Sequence, residues 1–317
     1  MPADAEEQMR TRIAWYYYFE GLTQADIAQR LNLSRVRVNR LLAQCREEGL
    51  VQIRINSKLT SCIARERALE RCFGLREAVV VPSPMDPADM TTVLGAAAGA
   101  YVSEELHDNQ SVGIGWGRTL RQSLRAVRRR PLKGLSVVGL LGGLTRASAI
   151  NTYETATRFA DLFDADCYYL AAPAFTDTPE SRDLLLQQEV LREVMDKARA
   201  VDLALLSVGE CTTESTISHL GLIRPGEVAE LQAAGAVGDL LGHYLDANGR
   251  ILDHELNRRV MALNPRELDR VGKTVLVSGG PEKLPAVQAV LVGGYIDVLI
   301  TDETTAQSLL QQRDADP

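Results

Sequence analysis

The stretch LTQADIAQRLNLSRVRVNRLLAQCREEGLVQIRI, residues 22–55, holds two short apolar repeats at helical spacing joined by a single asparagine. Thr23 is placed to cap a first helix, and Asp26, three residues on, is placed to reach back to the free amides. Ile27, Ala28 and Leu31 then form the inward face of that helix. Asn32 accepts the left-handed backbone of a tight turn at modest cost, and Leu33 plugs the corner. Ser34 caps a second helix whose inward positions are Val38, Leu41 and Leu42. This is helix-turn-helix patterning, with the small Ala28 where the helices cross. Residues 10–19, RTRIAWYYYF, supply a packing helix ahead of it that stops at Glu20-Gly21.

The outward residues indicate the chemistry. Ser34, Arg35, Arg37, Asn39 and Arg40 cluster in the first two turns of the second helix, the part of such a helix that enters a major groove. Arginine forks onto guanine O6 and N7, asparagine onto adenine N6 and N7, and a serine at a helix start suits phosphate. Gln24, at the head of the first helix, joins the predicted DNA contacts. After the second helix, EEGLVQIRIN reads as the turn and strand of a wing, with Arg54 and Lys58 available to the DNA backbone. From Arg30 to Lys58 seven basic residues face two acidic ones, on a chain whose net charge is -7. A basic module on an acidic body is the electrostatic signature of nucleic-acid binding.

The order Gly21-Leu22-Thr23-Gln24, Ile27-Ala28, Leu31-Asn32-Leu33-Ser34-Arg35, then Asn39-Arg40-Leu41-Leu42 and Glu48-Gly49-Leu50-Val51, resembles the N-terminal domain of the SorC/DeoR-type sugar-responsive transcriptional regulators of bacteria. Many members carry serine where this chain has Asn39, a departure that bears on operator sequence and not on fold.

A length of 317 residues with 45% hydrophobic and 24% charged residues suits a small module plus one larger core. The expected division is 1–58 for the helix-turn-helix domain and 59–317 for a linker helix and an effector and oligomerisation domain. No run of 18 apolar residues is free of charge, and the first twenty residues lack the order of a signal peptide, so a cytoplasmic protein without a membrane partner is expected. The five cysteines are scattered without C-x-x-C spacing and the four histidines are dispersed, which predicts a reducing compartment, no disulfide framework and no metal.

In the larger part, LTSCIARERALERCFGL (residues 59–75) reads as an amphipathic helix with Ile63, Ala64, Leu69 and Phe73 inward. The runs AVVV, SVGIGW, LSVVGLL, CYYLAAP, LALLSVG, TVLVSG and DVLIT read as buried strands, most of them separated by segments long enough for crossover helices. Such a pattern predicts an α/β fold with a doubly wound, mainly parallel sheet, and ligands then bind beyond the carboxyl ends of the strands. Four ends qualify: GIGWGRT (Gly113 to Thr119), LLGGLT with Gly142 and Gly143, SVGECTTEST with Glu210, and SGGPEKLPAV with Lys283, to which DVLITDE adds Asp302. The G-x-G-x-G at Gly113, Gly115 and Gly117 lacks a third glycine two residues later, and Arg128-Arg129-Arg130 stands where an acidic residue is needed, so no dinucleotide cofactor is predicted.

GWGRTL, LLGGL, GAVGDLLGHYLDANG and SGGPEKLPAVQAVLVGGYIDVLITDETTA extend the resemblance to the SorC-type effector domain, itself similar in fold to sugar-phosphate isomerases and deaminases. The resemblance implies a sugar, sugar-phosphate or polyol effector. It places Gly115, Trp116, Gly117, Arg118 and Thr119, the Gly142-Gly143 pair and Lys283 at the ligand, with Arg118 and Lys283 as anion partners. It also implies a homodimer or homotetramer acting as an allosteric repressor on double-stranded operator DNA of a carbohydrate or polyol operon. The competing reading is an isomerase- or deaminase-like enzyme with a fused DNA-binding module, drawing acid and base from Asp302, Glu210 and His219. Hydroxyl residues in GECTTESTISHLG stand where the deaminases carry their histidine signature, which favours a sensor without catalytic residues.

Overall fold

The computed structural model describes residues 3–18, 20–47, 59–144 and 151–315. Two compact units divide it, residues 1–57 and 58–317.

In the smaller unit, α1 (Ala3–Tyr18), α2 (Gln24–Leu31) and α3 (Arg35–Glu47) close around Ile13, Ile27, Ala28, Val38, Leu41 and Leu42. The local signals act as their chemistry requires. Thr23 Oγ1 accepts from the Asp26 amide while the Asp26 carboxylate accepts from the Thr23 amide, both at 3.2 Å, forming a capping box. Asn32 ends α2 in the left-handed region at φ 50°. Ser34 Oγ accepts from the Arg37 amide at 3.2 Å at the start of α3. The predicted wing strand, with Arg54 and Lys58, lies outside the described residues.

The larger unit begins with α4 (Leu59–Phe73) and a strand β1 (Glu77–Val81). Next come α5 (Met90–Glu105), β2 (Ser111–Ile114), α6 (Arg118–Ser123), β3 (Ser136–Gly139), α7 (Thr152–Phe163) and β4 (Asp166–Tyr168). After α8 (Pro179–Leu186) and α9 (Glu189–Arg199) the chain forms β5 (Leu203–Leu206), β6 (Val208–Glu210), α10 (Thr216–His219) and α11 (Pro225–Ala233). The hairpin of β7 (Gly238–Leu240) and β8 (His243–Leu245) precedes α12 (Glu255–Arg259), β9 (Thr274–Val277), α13 (Leu284–Val292), β10 (Val298–Asp302) and α14 (Glu303–Ala315).

Seven strands form one sheet in the order β1-β10-β9-β5-β2-β3-β4, every neighbouring pair parallel. Its central strands are apolar on both faces. Val275, Val277, Val298 and Ile300 pack into one core with Phe159 and Phe163, while Leu276 and Leu299 alternate into another with Leu69 and Leu291. That two-sided burial is what crossover helices impose on a parallel sheet.

Three expectations change. LALLSVG is not one strand: it breaks at Ser207, and β6 leaves the parallel sheet to join an antiparallel sheet in the order β6-β7-β8. The hairpin turns at Leu241-Gly242, with φ of 53° and 77°, the left-handed pair that a two-residue turn requires. CYYLAAP contributes only the short edge strand β4, partly exposed. In α4 the inward residues are Cys62, Leu69 and Phe73, whereas Ala64 is exposed and Ile63 is 56% exposed. The rotation follows from β1 being an edge strand. Its outward amides at Ala78 and Val80 donate to Glu70 and Glu66 of α4 at 3.2 and 2.9 Å, closing an edge that would otherwise pair with another chain.

Close packing of α5 on α6 depends on Gly99, where a Cβ would lie 2.4 Å from the Ser123 carbonyl oxygen and 2.9 Å from the Val127 nitrogen. Glycine to alanine within a helix ordinarily stabilises by up to about 1 kcal/mol. Here Gly99→Ala is expected to destabilise the larger unit by about 1–3 kcal/mol through overpacking against backbone, read as a lower urea midpoint by circular dichroism.

Candidate functional site

Beyond the carboxyl ends of β2, β5 and β9 lies a pocket of about 560 Å³ of empty space, mouth included. Trp116 follows β2 and forms one wall; Ile217 and Leu220, from α10 and its end, form another. Gly117 turns the chain into α6 at φ 125°, passing close to Ser207 at the break between β5 and β6. Arg118 is exposed at the rim, and Thr91, Ser215 and Thr216 add hydroxyls. The far side carries Glu210 at the end of β6, Asp239 on β7 and Lys283 just before α13. A mainly apolar lining with a few convergent polar groups is the usual make-up of a small-molecule site.

These polar groups are unequally satisfied. Lys283 Nζ donates to the Val208 carbonyl at 2.9 Å, and burial pushes the ammonium below its usual range against the pull of Glu210 and Asp239. Asp239 is 1% exposed. Its Oδ2 accepts from the Gly242 amide at 2.8 Å, while Oδ1 has no partner. Burial raises the Asp239 carboxyl to about 6; the Gly242 amide and Lys283 pull it down, and Glu210 pushes it up. A buried carboxylate oxygen without a donor costs free energy that a ligand hydroxyl would recover. Trp116 lines the same pocket, so apolar surface and polar acceptors are both available to a polyhydroxylated carbon skeleton. Arg118 makes no hydrogen bond or ion pair among the described residues, which leaves a cation at the rim for an anionic substituent.

In the smaller unit Ser34, Arg35, Arg37, Asn39 and Arg40 are all exposed on one end of the turn and α3, and Gln24 stands at the start of α2. Arg35, Arg37 and Arg40 form no ion pair among the described residues.

Residues 57–311 match the family described as "Putative sugar-binding domain", and residues 15–72 match the Crp-like helix-turn-helix domain. The erythritol catabolism regulatory protein EryD of Brucella abortus is 34% identical over 312 residues, covering 98% of each chain. The chain belongs to the SorC/DeoR family of sugar-binding transcriptional regulators. The deoxyribonucleoside regulator of Bacillus subtilis is 33% identical over 96% of this chain and 98% of its own. The crystal structure of the full-length sorbitol operon regulator SorC from Klebsiella pneumoniae superposes with a TM-score of 0.74 at 26% identity, covering 97% of this chain and all of that one.

Of the residues expected at the ligand, the regulator's pocket brings together Trp116, Gly117, Arg118, Glu210 and Lys283. Gly115 and Thr119 flank that loop but are buried; the Gly115 amide donates to the Leu205 carbonyl at 2.9 Å. Gly142 and Gly143 do not line the pocket. A Cβ on Gly142 would lie 2.5 Å from the Pro173 carbonyl oxygen and one on Gly143 2.3 Å from the Tyr153 ring, so the pair serves close packing. Asp302 faces a neighbouring cavity between the ends of β1, β9 and β10. Its carboxylate accepts from Ser83 Oγ, the Thr304, Thr305 and Gly280 amides and the Thr305 hydroxyl, and so caps α14. Asp239 was missed because GAVGDLL shows no strand-end glycine pattern. Its signal, an aspartate inside an apolar hairpin, acquires meaning only when burial is known.

The raised Asp239 value means that the folded state holds this proton more tightly than the unfolded chain. Its contribution is present below about pH 4 and lost as pH rises through about 6. His243, buried and held near 3 by burial and by Arg182, works in the opposite sense, favouring the fold above 6.5 and losing that favour as pH falls. Asp239→Asn isolates the first effect. Its stability gain over the parent is expected to grow between pH 4 and 6 and level off above, at on the order of 3 kcal/mol, measured by urea unfolding across pH.

Proposed function

We propose that this regulator binds operator DNA of a carbohydrate or polyol catabolic operon through α2 and α3, and that a sugar, sugar phosphate or polyol in the Trp116–Asp239–Lys283 pocket sets its operator affinity. The observation that carries the effector half is the unpartnered, buried Asp239 oxygen beside Glu210 in a mainly apolar pocket. In this reading Asp239 and Glu210 accept from ligand hydroxyls, Lys283 and Arg118 take the electronegative end, and Trp116 packs against the carbon skeleton. The named relatives, regulators of erythritol catabolism, deoxyribonucleosides and a sorbitol operon, support the effector class.

The pocket senses and does not catalyse. The residues that the competing reading would use are dispersed: His219 is exposed beside Glu214 and Asp302 caps α14, so neither joins Glu210 in the pocket. Ligand binding must favour one of two states of the assembly, a homodimer or homotetramer in the cytoplasm, by a coupling of about 1–3 kcal/mol. Among the described residues no helix is long and apolar enough to cross a membrane.

Thermal-shift screening against polyols, pentoses, hexoses and their phosphates tests the reading, since a specific ligand raises the melting temperature by mass action. A positive shift is expected for the parent and its loss for Asp239→Asn. Lys283→Ala is expected to abolish the response to a phosphorylated ligand while DNA retention in its absence persists in gel-shift assays. No shift with any of these compounds, or turnover of one of them at enzymatic rates, would overturn the proposal.

A further inference from the structure

Asn39 and Gln24 are fifteen residues apart in sequence, and the helix-turn-helix angle brings their amides together. Gln24 Nε2 donates to Asn39 Oδ1 at 3.4 Å, from a half-buried side chain on the first turn of α2 to an exposed one on the second turn of α3. The bond therefore spans the two helices over the first two turns of α3, where Arg35, Arg37 and Arg40 are exposed. It holds an exposed asparagine in one orientation, although an asparagine on a solvated helix surface otherwise samples several.

The geometry points to Gln24 as a positioning residue that fixes the Asn39 amide for reading adenine. A bidentate adenine contact needs one acceptor for the N6 amino group and one donor for N7, side by side in a plane. Asn39 Oδ1 has two lone pairs, and Gln24 occupies one of them. The second lone pair and the Asn39 amino group have no partner among the described residues, which leaves the pair of groups that adenine requires. Holding that edge before DNA arrives removes the rotamer entropy the contact would otherwise cost. The same bond would disfavour guanine at that position. With its oxygen held beside its amino group on that edge, Asn39 would set a carbonyl acceptor against guanine, whose major-groove edge offers only acceptors. Guanine contacts are left to the three arginines.

This inference rests on α3 being the helix that reads DNA, and its test separates the two. Full-length protein is used to select from a library of random-sequence duplexes, and the base preference of each variant is then compared on the selected sequence. The parent is expected to select a sequence with an adenine at which Asn39→Ala loses preference roughly ten-fold or more. Gln24→Ala is expected to lose preference at that same base pair and nowhere else, and the double variant to lose little more than either single one, because the two side chains act as a unit. Gln24→Glu, which can only accept, is expected to draw the Asn39 amino group toward itself and to lose the adenine preference too. Replacing that adenine by 7-deazaadenine, which lacks the N7 acceptor, is expected to weaken the parent and to leave Asn39→Ala unchanged.

A uniform loss of affinity by Gln24→Ala across all sequences, with a shallower salt dependence, would make Gln24 a phosphate contact and overturn the inference. Additive losses in the double variant would overturn it as well, as would an Asn39→Ala protein with intact base preference. A parent protein that selects no sequence would instead overturn the assignment of α3 as the reading helix, and the inference with it.

Discussion

The hydrogen bond from Lys283 Nζ to the Val208 carbonyl ties the segment entering α13 to the first residue of the small antiparallel sheet, and the pocket lined by Trp116, Glu210 and Asp239 includes that lysine. At Ser207 the chain abandons the parallel sheet, so the carbonyl of Val208 is free to accept from a side chain. A lysine drawn into that position carries its charge into a poorly solvated space, and the two neighbouring carboxylates, Glu210 and Asp239, keep the charged form tenable. Removing the lysine would leave two acids facing one another with less to offset their repulsion. Sheet topology and site electrostatics are thus one constraint.

The β7–β8 hairpin stands out for how little its polar atoms are paired. Asp239 Oδ1, His243 Nδ1 and Tyr244 Oη are all buried without a partner. Asp239 and Tyr244 are directly opposed in the ladder and so share a face. Each such atom costs about 1–3 kcal/mol, yet the hairpin is held by the Asn257 side chain, which bonds both the amide and the carbonyl of Tyr244. Of these residues Asp239 alone lines the pocket, so the unmatched oxygen of that carboxylate lies at its wall while the other two atoms lie within the core.

The helix-turn-helix was legible because every signal in it is local. Thr23 with Asp26, Asn32 at positive φ, and Ser34 each act within four residues, and the spacing of Ile27, Val38 and Leu41 follows helical geometry. The parallel sheet was legible for a similar reason, since runs such as TVLV and VLIT are apolar at successive positions whatever surrounds them. Glycine was the less reliable guide. Gly117 does enter the pocket, but Gly142 and Gly143 answer to Pro173 and Tyr153, and sequence cannot tell backbone approach to a ligand from backbone approach to another strand. Asp302 lines the neighbouring cavity and not this pocket; three of its five donors come from Thr304 and Thr305 at the start of α14, and the others from Ser83 and Gly280.

By itself the sequence determined the helix-turn-helix, the doubly covered sheet and the class of regulator, because caps, turn residues and hydrophobic periodicity are satisfied within a helix or a strand. Only the tertiary structure decided which strand ends share a pocket, that Ile63 faces outward so that Glu66 and Glu70 can close the edge of β1, and that Asp239 is buried with an oxygen to spare. Those outcomes depend on whether a polar group finds a partner. In a folded chain the partner is set by packing between distant segments and not by neighbours in sequence.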